Sequence, residues 1–254
     1  GIKAVHLNCN MSQGGLPDID EARRLIGKKT KAIVLVTPNN PTGATYPPDL
    51  LQGFFKLCQK HGIKLIIDET YKDFLTEQPP HQLFEISDWE ETLIQVYSFS
   101  KCFSLTGYRV GSVIAGENVI ESATKIMDSV AICAPRIAQD AALYGLEHLT
   151  SWVAEKRNML KKRRELFNKL FRVNNLGFKI ISSGAYFAYV QHQYDNKNAY
   201  QVAQNLLDKE NILSLPGTFF GPNQERFLRF AYANITRKEI TDVIDRLNVS
   251  FNKP

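Results

Sequence analysis

Four short apolar runs, rich in β-branched residues, mark the first half of the chain: KAIVLV (31–36), IKLIID (63–68), TLIQVYSF (92–99) and VGSVIAG (110–116). Apolar runs of this length predict strands that are buried on both faces of a sheet. Between the first two runs, PPDLLQGFFKLCQKHG carries apolar residues at helical spacing, with Pro47 and Pro48 at its start and Gly62 at its end. Strands that alternate with helices predict an α/β fold, with a mostly parallel sheet flanked by helices.

The pattern changes at about residue 117. Helical periodicity covers 117–129, 135–148 and 151–173. The run AYFAYV, a helix through YQVAQNLLDKE, the runs ILSL and FLRFAYA, and a last helix from Thr236 follow. This mixture predicts a smaller α+β unit. We therefore divide the chain into a sheet domain, 1–145, and a small C-terminal domain, 146–254, which includes the helix that joins them.

Composition narrows the class of protein. The chain has 254 residues, of which 44% are hydrophobic and 22% charged, which is typical of a globular protein with a sizeable core. No apolar run approaches the length of a membrane span, and the first residues lack the layout of a signal peptide. The four cysteines are scattered, without the spacing of metal ligands. We expect reduced thiols in a cytoplasmic protein, no metal site and no membrane partner.

The net charge of +5 is a mild excess. Its densest cluster, KKRR at 161–164, falls within SWVAEKRNMLKKRRELFNKLF, whose apolar residues recur as one stripe of a long helix. We interpret the cluster as the solvated face of that helix and expect no nucleic-acid partner. The net positive charge is better suited to attracting anionic small molecules than to binding nucleic acid.

Polar residues follow three of the predicted strands directly: TPNNPTG after the first, DETY after the second and SFSK after the third. In a parallel sheet the carboxyl ends of the strands lie at one edge, where ligands bind. Three polar clusters at such positions predict a ligand site at this edge.

Lys101 lies at the third of these strand ends, within SFSKCFSLTGYRVG (98–111). A lysine amine has a reference pKa of about 10.4 and is a nucleophile only when neutral. Desolvation or a nearby cation lowers that pKa, and the neutral amine can then form a Schiff base with an aldehyde. Most lysines are solvated surface charges, so this interpretation depends on partners elsewhere in the chain.

The aldehyde of pyridoxal phosphate would impose three further needs: a carboxylate for the ring nitrogen, donors for the phenolic oxygen, and cationic or hydroxyl groups for the phosphate. The sequence offers Asp68 for the nitrogen, Tyr71 and Asn40 for the phenolic oxygen, and Ser98 and Arg109 for the phosphate.

Each of these residues also has a purely structural interpretation. Asn40 and Gly43 lie in a sequence that commonly forms a turn. Asp68 could cap a helix, Tyr71 could be a core aromatic, and Arg229 in FLRFAYA could be a surface ion-pair residue.

Taken together, the motifs NNPTG, DETY and SFSKCFSLTGYRVG resemble those of the class I/II aminotransferases of pyridoxal-phosphate fold type I. GAYFAYV, PGTFFG and FLRFAYA resemble landmarks of the small domain of that family. The resemblance implies the fold of these enzymes and pyridoxal 5'-phosphate as cofactor. It also implies ping-pong transfer of an amino group between an amino acid and a 2-oxo acid, the EC 2.6.1 type of reaction, in a homodimer.

Individual roles follow from the same resemblance. Lys101 resembles the lysine that bonds to the cofactor and acts as catalytic base, and Asp68 the partner of the ring nitrogen. Tyr71 and Asn40 resemble the contacts of the phenolic oxygen, with Asn40 also touching substrate. Ser98 and Arg109 resemble phosphate ligands, a role that Ser100 could share. Arg229 resembles the arginine that binds the α-carboxylate of the substrate. We expect Lys101, Asp68 and Tyr71 to act in catalysis.

The resemblance fails at the start of the chain. In this family, the backbone amides that hold the phosphate and the aromatic ring that stacks on the cofactor precede the NPTG motif, but here only 39 residues precede Asn40. The resemblance therefore implies an enzyme without its N-terminal portion, with 1–145 as a partial cofactor domain.

Two other functions stay open. A lyase or decarboxylase on the same fold would use Lys101, Asp68 and Arg109 equally well, although Arg229 favours a reaction that retains the carboxylate. A non-catalytic fragment that cannot hold the cofactor is the other, and we expect this chain alone to be colourless and inactive.

Overall fold

The computed structural model describes residues 1–75, 81–174 and 176–251. They form two compact units, each continuous in space but not in sequence. The first, called the sheet unit, comprises Gly1–Asn10, Leu16–Pro38 and Thr45–Lys156. The second, called the C-terminal unit, comprises Met11–Gly15, Asn39–Ala44 and the chain from Arg157. The domain boundary between residues 145 and 146 stays a prediction.

Strands and helices alternate through most of the sheet unit. The strands are β1 (Cys9–Asn10), β2 (Leu16–Pro17), β3 (Ala32–Val36), β4 (Lys64–Asp68), β5 (Leu93–Ser98) and β6 (Gly111–Ala115). The helices are α1 (Ile19–Leu25), α2 (Pro48–His61), α3 (Phe99–Cys102), α4 (Glu117–Val130) and α5 (Arg136–His148). The long helix α6 (Thr150–Val173) begins in this unit. The four strands predicted from the apolar runs are therefore β3 to β6.

The main sheet has the order β3-β4-β5-β6. Strands β3, β4 and β5 are parallel, whereas β6 is antiparallel to β5, so the sheet is mixed. Asp68 lies opposite Val36 on one side and Val96 on the other, and Ser98 lies opposite Gly111. The carboxyl ends of β4 and β5 therefore lie side by side at one edge of the sheet.

Residues that favour the start and the end of a helix lie at the two ends of α2. Pro48 is the first helical residue, where its missing N–H has no intrahelical partner to lose. Gly62 ends the helix in the left-handed conformation, and its N–H donates to the carbonyls of Cys58 and Gln59. The buried residues of α2 recur at helical spacing, and the helix packs against β4.

The C-terminal unit is an antiparallel sheet with helices. Its strands are β7 (Phe178–Gly184), β8 (Phe187–His192), β9 (Leu215–Pro216) and β10 (Phe227–Ala231), in the order β7-β8-β10-β9. Its helices are α7 (Ala199–Glu210) and α8 (Arg237–Phe251), with the later part of α6. Thr236 precedes α8 and exchanges two hydrogen bonds with Glu239, the reciprocal pattern of a capping box.

One member of the basic cluster on α6 is not on a solvated face. Arg163 is half-buried and donates to the carbonyl oxygens of Tyr232 and Ala233, the two residues that follow β10. The interpretation of 161–164 as the solvated face of the helix was wrong for this residue, because its long side chain reaches backbone acceptors that sequence periodicity does not reveal. Within the described ranges, no helix is long and apolar enough to cross a membrane.

Candidate active site

Asp68 is the last residue of β4 and is half-buried. Its carbonyl oxygen accepts from the N–H of Thr37, and its Oδ1 accepts from the N–H of Thr70 at 2.9 Å. The carboxylate therefore closes a tight turn rather than capping an α-helix, and this turn holds it at the carboxyl edge of the sheet.

Tyr71 follows this turn and is buried, with 7% of its surface exposed. It precedes a single 3₁₀ turn, Lys72–Phe74, whose Phe74 is also buried. The burial agrees with a core aromatic, the structural interpretation of Tyr71. A contact of its hydroxyl with the cofactor stays a prediction.

Lys101 lies in α3, a single helical turn directly after β5. Ser98 caps this turn, because its Oγ accepts from the N–H of Ser100 at 3.2 Å. Phe99 and Cys102 are three residues apart, both are buried, and both pack in one apolar cluster with α5. Because Phe99 and Cys102 anchor the turn, Lys101 is left only half-buried beside them.

Arg109 lies just before β6 in the left-handed conformation, with φ 56° and ψ 49°. It is exposed, and its Nη1 donates to the carbonyl oxygen of Thr106 at 3.0 Å. Gly111, two residues later, pairs with Ser98, and a Cβ on Gly111 would lie 2.5 Å from the carbonyl oxygen of Tyr97. The tight pairing of β5 with β6 thus brings Arg109 and Ser98 to the same end of the sheet.

Asn40 and Arg229 lie together in the C-terminal unit, although 189 positions separate them in sequence. Arg229 is in the middle of β10, opposite Tyr189 and Leu215, and its Nη1 donates to Oδ1 of Asn40 at 2.8 Å. Both residues were predicted to touch substrate, and the chain brings them into contact.

The turn of NNPTG is built by neighbours of Asn40. Oδ1 of Asn39 accepts from the N–H of Thr42 at 3.2 Å and from its hydroxyl at 2.8 Å. The N–H of Gly43 donates to the carbonyl of Asn39. Asn39, Thr42 and Gly43 make the hydrogen bonds that close the turn. The side chain of Asn40 is therefore available to bond to Arg229. The structural role of Asn39 was missed, because two consecutive asparagines give no signal for which one closes the turn.

Replacement of Gly43 by alanine should destabilise the C-terminal unit. Gly43 has φ +70°, and a Cβ there would lie 2.5 Å from the amide nitrogen of Gly184 and 2.8 Å from the carbonyl oxygen of Phe187. Left-handed strain and the steric clash together should cost about 2–5 kcal/mol, measured by urea unfolding with circular dichroism.

Gly14→Ala is the matched control. Gly14 lies in the same unit with φ +74°, and its Cβ would meet only the carbonyl oxygen of Ile181 at 3.7 Å. This variant should lose only the strain component, about 1–2 kcal/mol. Equal losses in the two variants would show that the close approach at Gly43 is absent in solution.

A buried polar cluster lies beside Asp68 and was not predicted. Glu69 is fully buried, and its Oε2 accepts from Nε2 of Gln95 on β5. Nε2 of His81 lies 3.4 Å from Oε1 of Glu69 but without hydrogen-bond alignment, and Nδ1 of His81 accepts from the N–H of Leu83. Because Glu69 also joins the backbone ladder through the carbonyl of Val96, the cluster anchors the residue next to Asp68.

Replacement of Glu69 by leucine should therefore cost stability. The buried side-chain N–H of Gln95, which donates to Oε2 of Glu69, would then face hydrocarbon, at about 1–3 kcal/mol for this unsatisfied donor. Glu69→Gln is the control, since the amide keeps an oxygen for one donor and nearly the same volume. Thermal unfolding should rank wild type first, Glu69→Gln second and Glu69→Leu last; a Glu69→Leu chain as stable as wild type would contradict the cluster.

A second cluster joins α3, the helical turn that carries Lys101, to the 3₁₀ turn Lys72–Phe74. The hydroxyl of Tyr97 donates to Oδ2 of Asp73 at 2.5 Å and lies 2.7 Å from Sγ of Cys102. Burial raises the pKa of Tyr97 well above its usual range, and burial likewise raises the pKa of the Cys102 thiol to about 11. Burial therefore favours the protonated thiol of Cys102, which is less nucleophilic than a thiolate.

A family model described as "Aminotransferase class I and II" matches residues 1–247. The chain belongs to this family. The family membership inferred from the motifs is thereby confirmed. Members of the family are generally dependent on pyridoxal phosphate.

Curated relatives carry aminotransferase names. The chain is 29% identical over 230 residues to the putative aminotransferase YugH of Bacillus subtilis, covering 90% of the chain and 59% of that protein. It is 30% identical over 249 residues to an aspartate aminotransferase of Pyrococcus horikoshii, covering 96% of the chain and 63% of that protein. It is 28% identical to aromatic-amino-acid aminotransferase 2 of Thermococcus litoralis, covering 90% and 59%. The chain thus spans about three fifths of the length of these relatives.

Solved structures of aminotransferases have the same fold. The chain superposes on the aspartate aminotransferase from Thermus thermophilus with maleate at a TM-score of 0.88 and 27% identity, covering 96% of the chain and 63% of that structure. It superposes on the aromatic aminotransferase from Pyrococcus horikoshii at a TM-score of 0.88 and 26% identity, covering 97% of the chain and 66% of that structure. The prediction of fold type I is confirmed.

Proposed function

We propose that the protein is an aminotransferase that uses pyridoxal 5'-phosphate to move an amino group between an amino acid and a 2-oxo acid, with ping-pong kinetics. The observation that carries the proposal is the edge of the main sheet, where Asp68 ends β4 and Ser98 and Lys101 follow at the end of β5. The names of the matched relatives support the same reaction type.

The donor set of the sheet unit fits this cofactor chemically. A half-buried carboxylate, Asp68, would hold a proton on the ring nitrogen, and the hydroxyl of Tyr71 would face the phenolic oxygen. Ser98 and the guanidinium of Arg109 would hold the phosphate. Lys101 would bond to the aldehyde carbon. When bound, the cofactor accepts the electron pair that a broken Cα–H bond leaves behind.

The side chains of the protein would then move one proton and hold one carboxylate. Lys101, with its amine neutral, would take the α-proton of the substrate on its Nζ and hold it for return. Arg229 holds the α-carboxylate through its planar fork, and Asn40 fixes that fork through its Oδ1. A carboxylate held in this way stays on the substrate, which supports an aminotransferase over the decarboxylase alternative.

We also propose that the enzyme works as a cytoplasmic homodimer. Large apolar side chains are exposed on α4 and α5 of the sheet unit, including Ile126, Val130, Ile137 and Leu143. An apolar surface of this kind promotes association with further polypeptide.

The test is an acceptor screen on two proteins: the chain as printed, and the longest reading frame that contains it. Each is supplied with pyridoxal phosphate, a panel of amino acids and several 2-oxo acids. For the longest reading frame, the expected result is conversion of an amino acid into its 2-oxo acid, with parallel lines in double-reciprocal plots; the chain as printed is expected to show no conversion. Release of carbon dioxide, or of products cleaved at Cβ, would support the lyase or decarboxylase alternative instead.

A further inference from the structure

The guanidinium of Arg229 lies over two aromatic rings. Its Cζ is 4.9 Å from the centroid of Phe187 and 4.9 Å from the centroid of Phe220. Both distances are within the range of about 6 Å for a cation–π interaction. Two rings at this distance from one atom cannot overlap, so they occupy different positions around the guanidinium.

Both rings are carried by backbone segments that contact β10. Phe187 is the first residue of β8 and lies opposite Ala231, while Arg229 lies opposite Tyr189, so Phe187 and Arg229 are diagonal neighbours on one face of the sheet. Phe220 follows the 3₁₀ turn Gly217–Phe219, which contacts β10.

Gly217 lets that turn approach the sheet closely. A Cβ on Gly217 would lie 2.6 Å from the hydroxyl oxygen of Tyr189 and 2.9 Å from the carbonyl oxygen of Phe227. A larger residue at this position would push the turn, and with it Phe220, away from Arg229.

Asn40 adds a hydrogen bond to the ring contacts of the guanidinium. Arginine has donors only, so the oxygen of the Asn40 amide must be the atom that faces Nη1, and its NH₂ group points elsewhere. With two rings in contact and one N–H bonded to Asn40, the guanidinium is restricted in its rotation.

We propose that Phe187 and Phe220 are positioning residues that clamp Arg229 before substrate arrives, so that its fork meets a planar carboxylate without first losing rotational freedom. The proposal rests on the proposed role of Arg229 in carboxylate binding. Preorganisation of this kind raises affinity because the entropy of ordering is lost on folding and not on binding.

The first experiment needs no cofactor. Arginine-selective ¹⁵N and ¹³C NMR on the chain measures the Hε shift of Arg229 and the rotation rate about its Cζ–Nη bonds, with Arg229→Lys to assign the signals. We expect ring-current shifts and slow rotation in wild type and in Phe220→Tyr, which keeps the ring, but fast rotation in Phe220→Leu.

Phe219→Leu is the matched control. Phe219 is the neighbouring phenylalanine and is 62% exposed, and Arg229 makes its two ring contacts with Phe187 and Phe220. It should leave both signals unchanged. Signals of Arg229 that do not differ between wild type and Phe220→Leu would overturn the clamp.

The second experiment titrates the same proteins with pyruvate as the carboxylate probe. Phe220→Leu should weaken binding by up to about tenfold, because Arg229 must then be ordered on binding, whereas Phe220→Tyr should bind like wild type. Binding to wild type that Phe220→Leu leaves unchanged would overturn the clamp alone. No binding of pyruvate to wild type, with slow rotation retained, would overturn the role of Arg229 in the proposed function and with it the purpose of the clamp.

Discussion

Replacement of Lys101 by alanine is expected to abolish amino-group transfer. In the proposed function Lys101 would supply both the bond to the cofactor and the base that moves the α-proton, and loss of a positioned general base alone costs about 10²–10⁴-fold in rate. The turn that carries Lys101 is anchored by Phe99 and Cys102, so the fold should survive the change. The measurement is single-turnover formation of 2-oxo acid in the longest reading frame that contains this chain.

Lys125→Ala is the control for loss of a positive charge, since Lys125 is exposed on α4. It should react at the rate of wild type. A Lys101→Ala protein that retains more than a few per cent of the wild-type rate would remove Lys101 from the mechanism.

Replacement of Asp68 by asparagine should preserve the turn and slow proton abstraction. The amide oxygen can still accept from the N–H of Thr70, but it no longer offers a charge to a protonated ring nitrogen. Removal of one partner of a buried charge pair costs about 3–5 kcal/mol, which corresponds to a rate reduced by about 10²–10⁴-fold. Deuterium exchange at Cα of the amino acid measures this step directly.

Asp73→Asn serves as the matched control, because Asp73 lies in the same segment and bonds to Tyr97 instead. It should affect stability more than exchange. If Asp68→Asn exchanges the α-proton as fast as wild type, then Asp68 does not support the ring nitrogen.

The sheet was predictable because each of its strands is a continuous apolar run between polar turns. The direction of β6 was not, since VGSVIAG has the same pattern whether it runs parallel or antiparallel to β5. The placement of Asp68 and Lys101 at strand ends followed from the strands themselves, because each follows its apolar run directly.

The buried polar residues were harder to predict. In the sequence Glu69 resembles any other polar residue of a turn, yet it is fully buried. Its burial could not be predicted, because its neighbours Gln95 and His81 are 26 and 12 positions away. The contact between Asn40 and Arg229 spans 189 positions, and no local pattern in the sequence links them. Only the resemblance to a family assigned both residues to one substrate.

The most direct test of the proposed function is to trap the cofactor on the protein. The longest reading frame that contains this chain is incubated with pyridoxal phosphate, reduced with borohydride, digested and analysed by mass spectrometry. We predict one stoichiometric pyridoxyl group, on the peptide that contains Lys101, and its loss in Lys101→Ala. A label on another lysine, or one spread over many surface lysines with none favoured, would contradict the assignment.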